Sequence, residues 1–310
     1  LVDFYARLIG ILCQYSHEYD GSPSIHSESN DKKNELFASL CALFDGTNDE
    51  LVDDKNVVAF AVPTFQAPRG FFAASARRKL PFSSDTEVTE YLLQTALESD
   101  RYASVGVSSA YLNPTPRLMN TLKQFIDESE KKNGCVLLVT AGPRSHGFAP
   151  KKKADGVNGR GRDWIPAAYA ELVNEAALHL LPRGGKVLLY EREGWTFHAK
   201  GLWLSSSSTE TGRNENFLRD NLIEDPSTLT ATIVGSGNYG ARSEALDFES
   251  NCILVLNQSD YVCTSIDEIR SRVANEWNEM VHHSTEVDLT KQSNAGFGRK
   301  TALGLIRKVM

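Results

Sequence analysis

Apolar residues recur at helical spacing from the first position. Leu1, Tyr5, Leu8, Leu12 and Tyr15 share one face, which predicts an opening helix to about His17. A polar run over 21–33, rich in Ser, Asn and Asp, reads as a loop, and a second helix is predicted over 34–44. Residues 56–62 read as a strand closed by Pro63. Ser84 and Asp85 then cap a helix through Leu97, with Glu87 adding negative charge to its first turn.

From there the period switches back and forth. Strands are predicted over 102–111, 136–140, 186–190, 196–204, 229–234 and 251–256. Helices are predicted over 115–131, with Leu118, Leu122, Phe125 and Ile126 on one face, over 166–180, and from Asp260 to about Val281. Strands separated by helical crossovers imply an α/β fold: a mixed, largely parallel sheet with helices on both faces.

Composition narrows the possible functions. A chain of 310 residues, 41 % hydrophobic and 24 % charged, can bury a substantial core. No apolar run approaches the ~20 residues of a membrane-spanning helix. The net charge of −7 argues against bulk nucleic-acid binding, but a phosphate-bearing substrate needs only local positive charge. The five cysteines, Cys13, Cys41, Cys135, Cys252 and Cys263, form no C-x-x-C pair and read as buried thiols of a reducing compartment. No clustered ligand set for a metal is recognised, and no cofactor is expected.

One segment concentrates candidate chemistry: Gly194-Trp-Thr-Phe-His-Ala-Lys-Gly-Leu-Trp-Leu204. On a strand, His198 and Lys200 share a face while Phe197 and Trp203 take the other. Burying an imidazole beside an ammonium is costly, and an anion bound between them offsets the cost. The next strand ends in Gly235-Ser236-Gly237-Asn238, followed by Ser243 and then Asp247-Phe248-Glu249. Two glycines let backbone amides approach a ligand, and Ser236 and Asn238 add polar side chains able to donate to phosphate oxygens. Glu249 is placed to orient the imidazole. Each piece alone reads more simply as a plain strand or turn. Their order on adjacent strands favours one anion site.

These residues resemble the phospholipase D superfamily pattern H-x-K-x4-D-x6-G-S-x-N with a downstream Ser and Glu. His198 and Lys200 match its first pair, Gly235, Ser236 and Asn238 the turn, and Ser243 and Glu249 the last two. The Gly194–Leu204 phrase, with Ile165-Pro-Ala-Ala-Tyr169, is similar to the eukaryotic mitochondrial phosphatidylglycerophosphate synthases. Ser205 stands where the pattern has Asp, so an acidic partner has to come from Asp247 or Glu249, or be dispensable. These enzymes carry two motifs; none of the other six histidines (His17, His26, His146, His179, His282, His283) has Lys two residues on. The expectation is a C-terminal half, with 1–290 catalytic and 291–310 a basic amphipathic tail.

The resemblance implies phosphatidyl transfer from CDP-diacylglycerol to glycerol-3-phosphate through a phosphohistidine, completed by the N-terminal half of the same enzyme. His198 is expected to be the acid–base partner. The resemblance also implies peripheral contact with an anionic membrane surface, on the mitochondrial inner membrane. Open alternatives are a hydrolase using the same motif, a non-catalytic lipid-binding half-domain, and a one-motif chain completed by dimerisation. The basic stretches 66–79 and 142–163 read equally as lids over headgroups or as solvated loops. The tail 299–310 reads as a membrane-surface segment or a capping helix.

Overall fold

The computed structural model describes residues 2–15, 30–45, 59–69, 71, 84–99, 102–129, 135–148, 164–206, 223, 225–256 and 264–289. The basic residues Arg77, Arg78 and Lys79, the stretch 149–163, Cys263 and the predicted tail 291–310 lie outside them.

Two helices come first, α1 (Val2–Tyr15) and α2 (Asn30–Asp45), followed by strand β1 (Ala59–Pro63). Helix α3 (Asp85–Glu98) is closed at its start by a reciprocal capping box between Ser84 and Glu87. A run of β2 (Tyr102–Ser109), α4 (Pro116–Ser129), β3 (Val136–Ala141), α5 (Trp164–Leu180) and β4 (Lys186–Tyr190) follows. The chain then forms β5 (Lys200–Ser206), β6 (Leu229–Gly235), the short α6 (Ala241–Leu246), β7 (Asn251–Leu256), α7 (Thr264–His282) and β8 (Ser284–Glu286).

The eight strands form one sheet in the order β1-β7-β6-β5-β2-β3-β4-β8. The α/β class and the helices on both faces are as expected, but the balance of pairing is not. Only β2–β3 and β3–β4 are parallel; the remaining neighbours run antiparallel. Parallel neighbours need a covering crossover, and α4 and α5 supply one between β2, β3 and β4. Between β6 and β7 there is only the one-and-a-half-turn α6, too short for a crossover, and the chain simply reverses.

Alternation along the strands divides the core. Val105, Val107, Val136, Leu138, Leu202 and Leu204 face α3, α4 and α5, packing with Leu93, Leu122, Phe125 and Ala177. Leu137, Val139, Leu188 and Trp203 face α7, where Trp203 meets Trp277 with ring centroids 4.8 Å apart. Each face buries several large side chains, at about 1.5–3 kcal/mol apiece. Cys13, Cys41, Cys135 and Cys252 form no disulfide, but the burial expected of the thiols holds for Cys252 alone among them: Cys41 and Cys135 are half-buried and Cys13 is exposed. Among the described residues no helix is long and apolar enough to cross a membrane.

The register aligns one edge of the sheet. Ser109 of β2 opposes Lys200 of β5, Gly201 opposes Val234 of β6, and Gly235 opposes Asn251 of β7. The segments leaving β2, β3, β4 and β6 and those entering β5 and β7 therefore gather at that edge. It is also the carboxyl end of the parallel strands, where open α/β sheets place their ligands.

Candidate active site

Lys200 opens β5, whereas His198 lies just before it in an irregular approach. The strand expected from 196 thus starts at Lys200. The reason is local: the Phe197 N–H donates to the Ser145 carbonyl at 2.8 Å, in the loop after β3, and not to a ladder partner. The predicted alternation survives this shift. Phe197 and Trp203 are buried together on the α7 side, and His198 and Lys200 emerge on the other. Lys200 Nζ lies 2.9 Å from Nδ1 and 3.0 Å from Nε2 of His198, and donates to the His198 carbonyl at 2.9 Å.

The electrostatics follow from this contact. Burial lowers the His198 pKa and the Lys200 charge lowers it further, so the ring stands neutral at pH 7. Burial also lowers the pKa of Lys200, opposed by the carboxylate of Glu249.

Glu249 is buried and held from several sides. Its Oε2 accepts from Ser236 Oγ at 2.5 Å and its Oε1 from Ser243 Oγ at 2.8 Å. Its backbone exchanges two hydrogen bonds with Gln66, at 2.8 and 3.0 Å, and the Gln66 carboxamide donates to the Ser243 carbonyl. The expected bond from Glu249 to the imidazole is not formed; the serines take the carboxylate, and Lys200 takes the imidazole. Asp247, the other acidic candidate, pairs with Arg242 at 3.1 Å.

The turn after β6 also differs from expectation. Ser236 N–H donates to the Ser250 carbonyl at 3.1 Å, Gly237 N–H to Asn251 Oδ1 at 3.2 Å, and Asn238 N–H to Ser243 Oγ at 3.1 Å. The amides that the two glycines were expected to offer to an anion are satisfied inside the protein. Gly235 and Gly237 serve close packing instead: a Cβ on Gly235 would fall on the Asn251 carboxamide and within 2.5 Å of the Ser250 carbonyl oxygen. The Asn238 Oδ1 is buried without a partner among the described residues.

Sequence reasoning missed three neighbours. Asp85 lies behind the turn, bonded by the Thr64 hydroxyl, and burial raises its pKa to about 6. Gln66 braces Glu249. His146, noted only for lacking a following Lys, is buried beside Tyr111, Phe148 and Tyr169, and Tyr111 lies 6.0 Å from the His198 ring. Burial lowers the His146 pKa to about 4, and its Nδ1 accepts the Phe148 N–H at 3.2 Å. The only signal for this group was its place after β2 and β3, at the ligand end of the sheet.

No family model matches the chain. It is 27 % identical over 246 residues to CDP-diacylglycerol–glycerol-3-phosphate 3-phosphatidyltransferase of Saccharomyces pastorianus, covering 74 % of this chain and 41 % of that protein. The mitochondrial enzyme of the same name from Mus musculus is 31 % identical over 175 residues, covering 55 % of this chain and 26 % of that protein. The chain therefore spans less than half the length of these relatives. Among solved structures, phosphatidylserine synthase of Haemophilus influenzae superposes with a TM-score of 0.58 at 13 % identity, over 98 % of this chain and 58 % of that one. That likeness is one of fold. The resemblance drawn from the His198 and Gly235 motifs and the similarity along the chain point to the same proteins.

Proposed function

We propose that the chain supplies one histidine–lysine half of a phosphatidyltransferase that moves a phosphatidyl group from CDP-diacylglycerol to glycerol-3-phosphate. The products are phosphatidylglycerophosphate and CMP. The carrying observation is the His198–Lys200 contact at the sheet edge, beside the turn that holds Asn238 over the Ser236–Glu249–Ser243 cluster.

Two displacements at phosphorus account for the reaction. In the first, a histidine nitrogen attacks the phosphatidyl phosphorus and CMP leaves with the electron pair of the broken P–O bond. In the second, the glycerol-3-phosphate hydroxyl attacks, its proton passes to an imidazole, and the P–N bond breaks. CMP is a phosphate with a second pKa near ~6 and needs little help to leave. The attacking hydroxyl needs a base. A neutral His198 fits that proton-accepting role, which contributes ~10²–10⁴-fold. The nucleophile then comes from a second H-x-K, which we assign to the N-terminal half of the same enzyme.

Lys200 and Asn238 are assigned to the equatorial phosphoryl oxygens, where transition-state charge collects. Glu249 opposes the loss of charge that burial imposes on Lys200, Ser236 and Ser243 fix Glu249, and Gly235 and Gly237 give the turn its tight path. Because the donor is a lipid, the working enzyme meets a membrane surface, and the mitochondrial location in the mouse relative's name is proposed here too.

The test is the full-length protein with labelled CDP-diacylglycerol, with and without glycerol-3-phosphate. Phosphatidylglycerophosphate formed only with acceptor supports transfer. Phosphatidic acid formed at the same rate either way identifies a hydrolase.

A further inference from the structure

Beside His198, four rings close on one another. Tyr111, His146, Phe148 and Tyr169 have all six centroid separations between 4.7 and 6.4 Å. They come from three elements: Tyr111 follows β2, His146 and Phe148 follow β3, and Tyr169 is on α5. His146 and Tyr169 are buried, while Tyr111 and Phe148 keep part of their surface open. Gly147 leaves room for the ring, since a Cβ there would lie 2.6 Å from the Tyr111 hydroxyl. Three of these rings, Tyr111, Phe148 and Tyr169, line a cavity.

The cavity measures about 230 Å³ and is lined by the aromatic residues Tyr111, Phe148 and Tyr169 together with the polar residues Asn238, Arg242 and Asp247. It touches the site through Asn238, and through Tyr111 it adjoins His198. Arg242 Nε bonds both carboxylate oxygens of Asp247, at 3.2 and 3.1 Å. This pairing argues against a phosphate as occupant, because the carboxylate cancels the positive charge and repels an anion. It also argues against an acyl chain, which would leave a polar wall uncompensated. The guanidinium keeps further N–H donors and the carboxylate keeps free lone pairs. Flat aromatic rings sharing one cavity with a donor and an acceptor suit a planar heterocycle that offers both.

We infer that this cavity holds the pyrimidine base of the departing nucleotide, stacked on Tyr111 and Phe148, with the Asp247 carboxylate accepting from the exocyclic amine of cytosine. Arg242 donates to the ring carbonyl oxygen. Uracil carries a carbonyl where cytosine carries the amine, so it would set acceptor against acceptor at Asp247. The pocket thus selects cytidine over uridine nucleotides. This reading rests on the proposed transfer reaction, whose donor it makes specific.

The experiment is equilibrium binding of CMP and UMP to the full-length protein and to its Tyr111→Leu and Asp247→Asn variants, with the KM for CDP-diacylglycerol measured in parallel. CMP is expected to bind at least about tenfold more tightly than UMP. Asp247→Asn should reduce that preference to near parity, and Tyr111→Leu should weaken CMP by about tenfold with little change in thermal stability. If a variant fails to fold, Phe148→Leu takes its place. Wild-type CMP affinity, preference and KM in folded variants would overturn the pocket and leave the transfer reading standing. Loss of all turnover in the unaltered enzyme, with CMP still held through Tyr111 and Asp247, would overturn the transfer reading alone. Saturable binding by diacylglycerol vesicles that CMP does not displace would assign the cavity to lipid and refute the proposal.

Discussion

The hydroxyl of Ser236 donates a hydrogen bond to Glu249 Oε2, 2.5 Å away, so its one proton is engaged within the protein although the residue itself is exposed. A motif serine thereby becomes part of the support for a carboxylate, and the carboxylate in turn supports the charge of Lys200. On the proposed function, contact with the equatorial phosphoryl oxygens falls to Lys200 and Asn238 and not to Ser236.

That arrangement separates two outcomes. A hydroxyl meeting the phosphoryl oxygen directly would cost ~10²–10³ in kcat when removed. As a support, Ser236→Ala should cost about tenfold or less. Glu249→Gln should cost more than Ser236→Ala, because it removes the charge facing Lys200 as well as the acceptor of two hydroxyls. Steady-state kinetics of both variants in the full-length enzyme decide it. Equal, large losses would put Ser236 on the substrate.

His198 gives a second outcome. With its pKa held down by burial and by the Lys200 charge, the ring is proton-accepting over most of the physiological range. Activity should rise with pH through the ring's pKa, so the acid limb of kcat/KM should have its midpoint below the ordinary His value of 6.5. His198→Ala should lower turnover by at least ~10²-fold while labelled phosphatidyl-enzyme accumulates on the other histidine. Acid-quench trapping with labelled CDP-diacylglycerol reads this directly. A His198→Ala enzyme that forms no covalent intermediate yet retains binding would make His198 the nucleophile.

Much of this frame was legible in the residues alone. Period-2 alternation on 196–204 placed His198 and Lys200 together opposite Phe197 and Trp203, because burial on two sheet faces leaves no other assignment. The capping box at Ser84 and Glu87 fixed a helix start. Hydrogen-bond destinations were not legible. Whether the Gly237 amide meets an anion or Asn251 Oδ1 depends on where β7 begins relative to β6, a register that no local pattern encodes. The same holds for Asp85 and Gln66, brought behind the turn by the pairing of β1 with β7 and by the bridge between Gln66 and Glu249. Pairing direction was misread for a related reason: helical spacers mark parallel strands only when they are long enough to cross the sheet.

Gly235 tests the packing of the turn. Its Cα sits against the Asn251 carboxamide and the Ser250 carbonyl, both fixed by backbone hydrogen bonds, so neither can retreat. Gly235→Ala should destabilise by roughly 1–3 kcal/mol and pull the turn away from Lys200, reducing activity more than Gly194→Ala, which has open space around it. Gly194 has φ of 77°, so its alanine variant carries backbone strain but no clash. Urea unfolding with parallel activity separates the two; equal activity losses would mean the turn's close approach is unimportant.

Asp85 connects the site to stability through pH. Its carboxyl stands at the first turn of α3, where the helix dipole favours a negative charge by up to ~1 kcal/mol, and the Thr64 hydroxyl donates to it. Burial outweighs both, with Glu249 adding repulsion, and raises the pKa from 3.8 to about 6. The native state therefore holds a proton that the unfolded chain has already released, and stability falls as pH climbs from about 4 to about 6. Above that window the penalty is constant, of order 3 kcal/mol. Asp85→Asn keeps an acceptor for Thr64 and cannot ionise. Its unfolding free energy should match wild type near pH 4, overtake it steadily to about pH 6, and hold the advantage to pH 8. Urea titrations at half-unit pH steps measure this directly. A difference between the two proteins that stays flat across the window would mean Asp85 is ionised in the native state throughout, with Thr64 and the helix dipole outweighing burial.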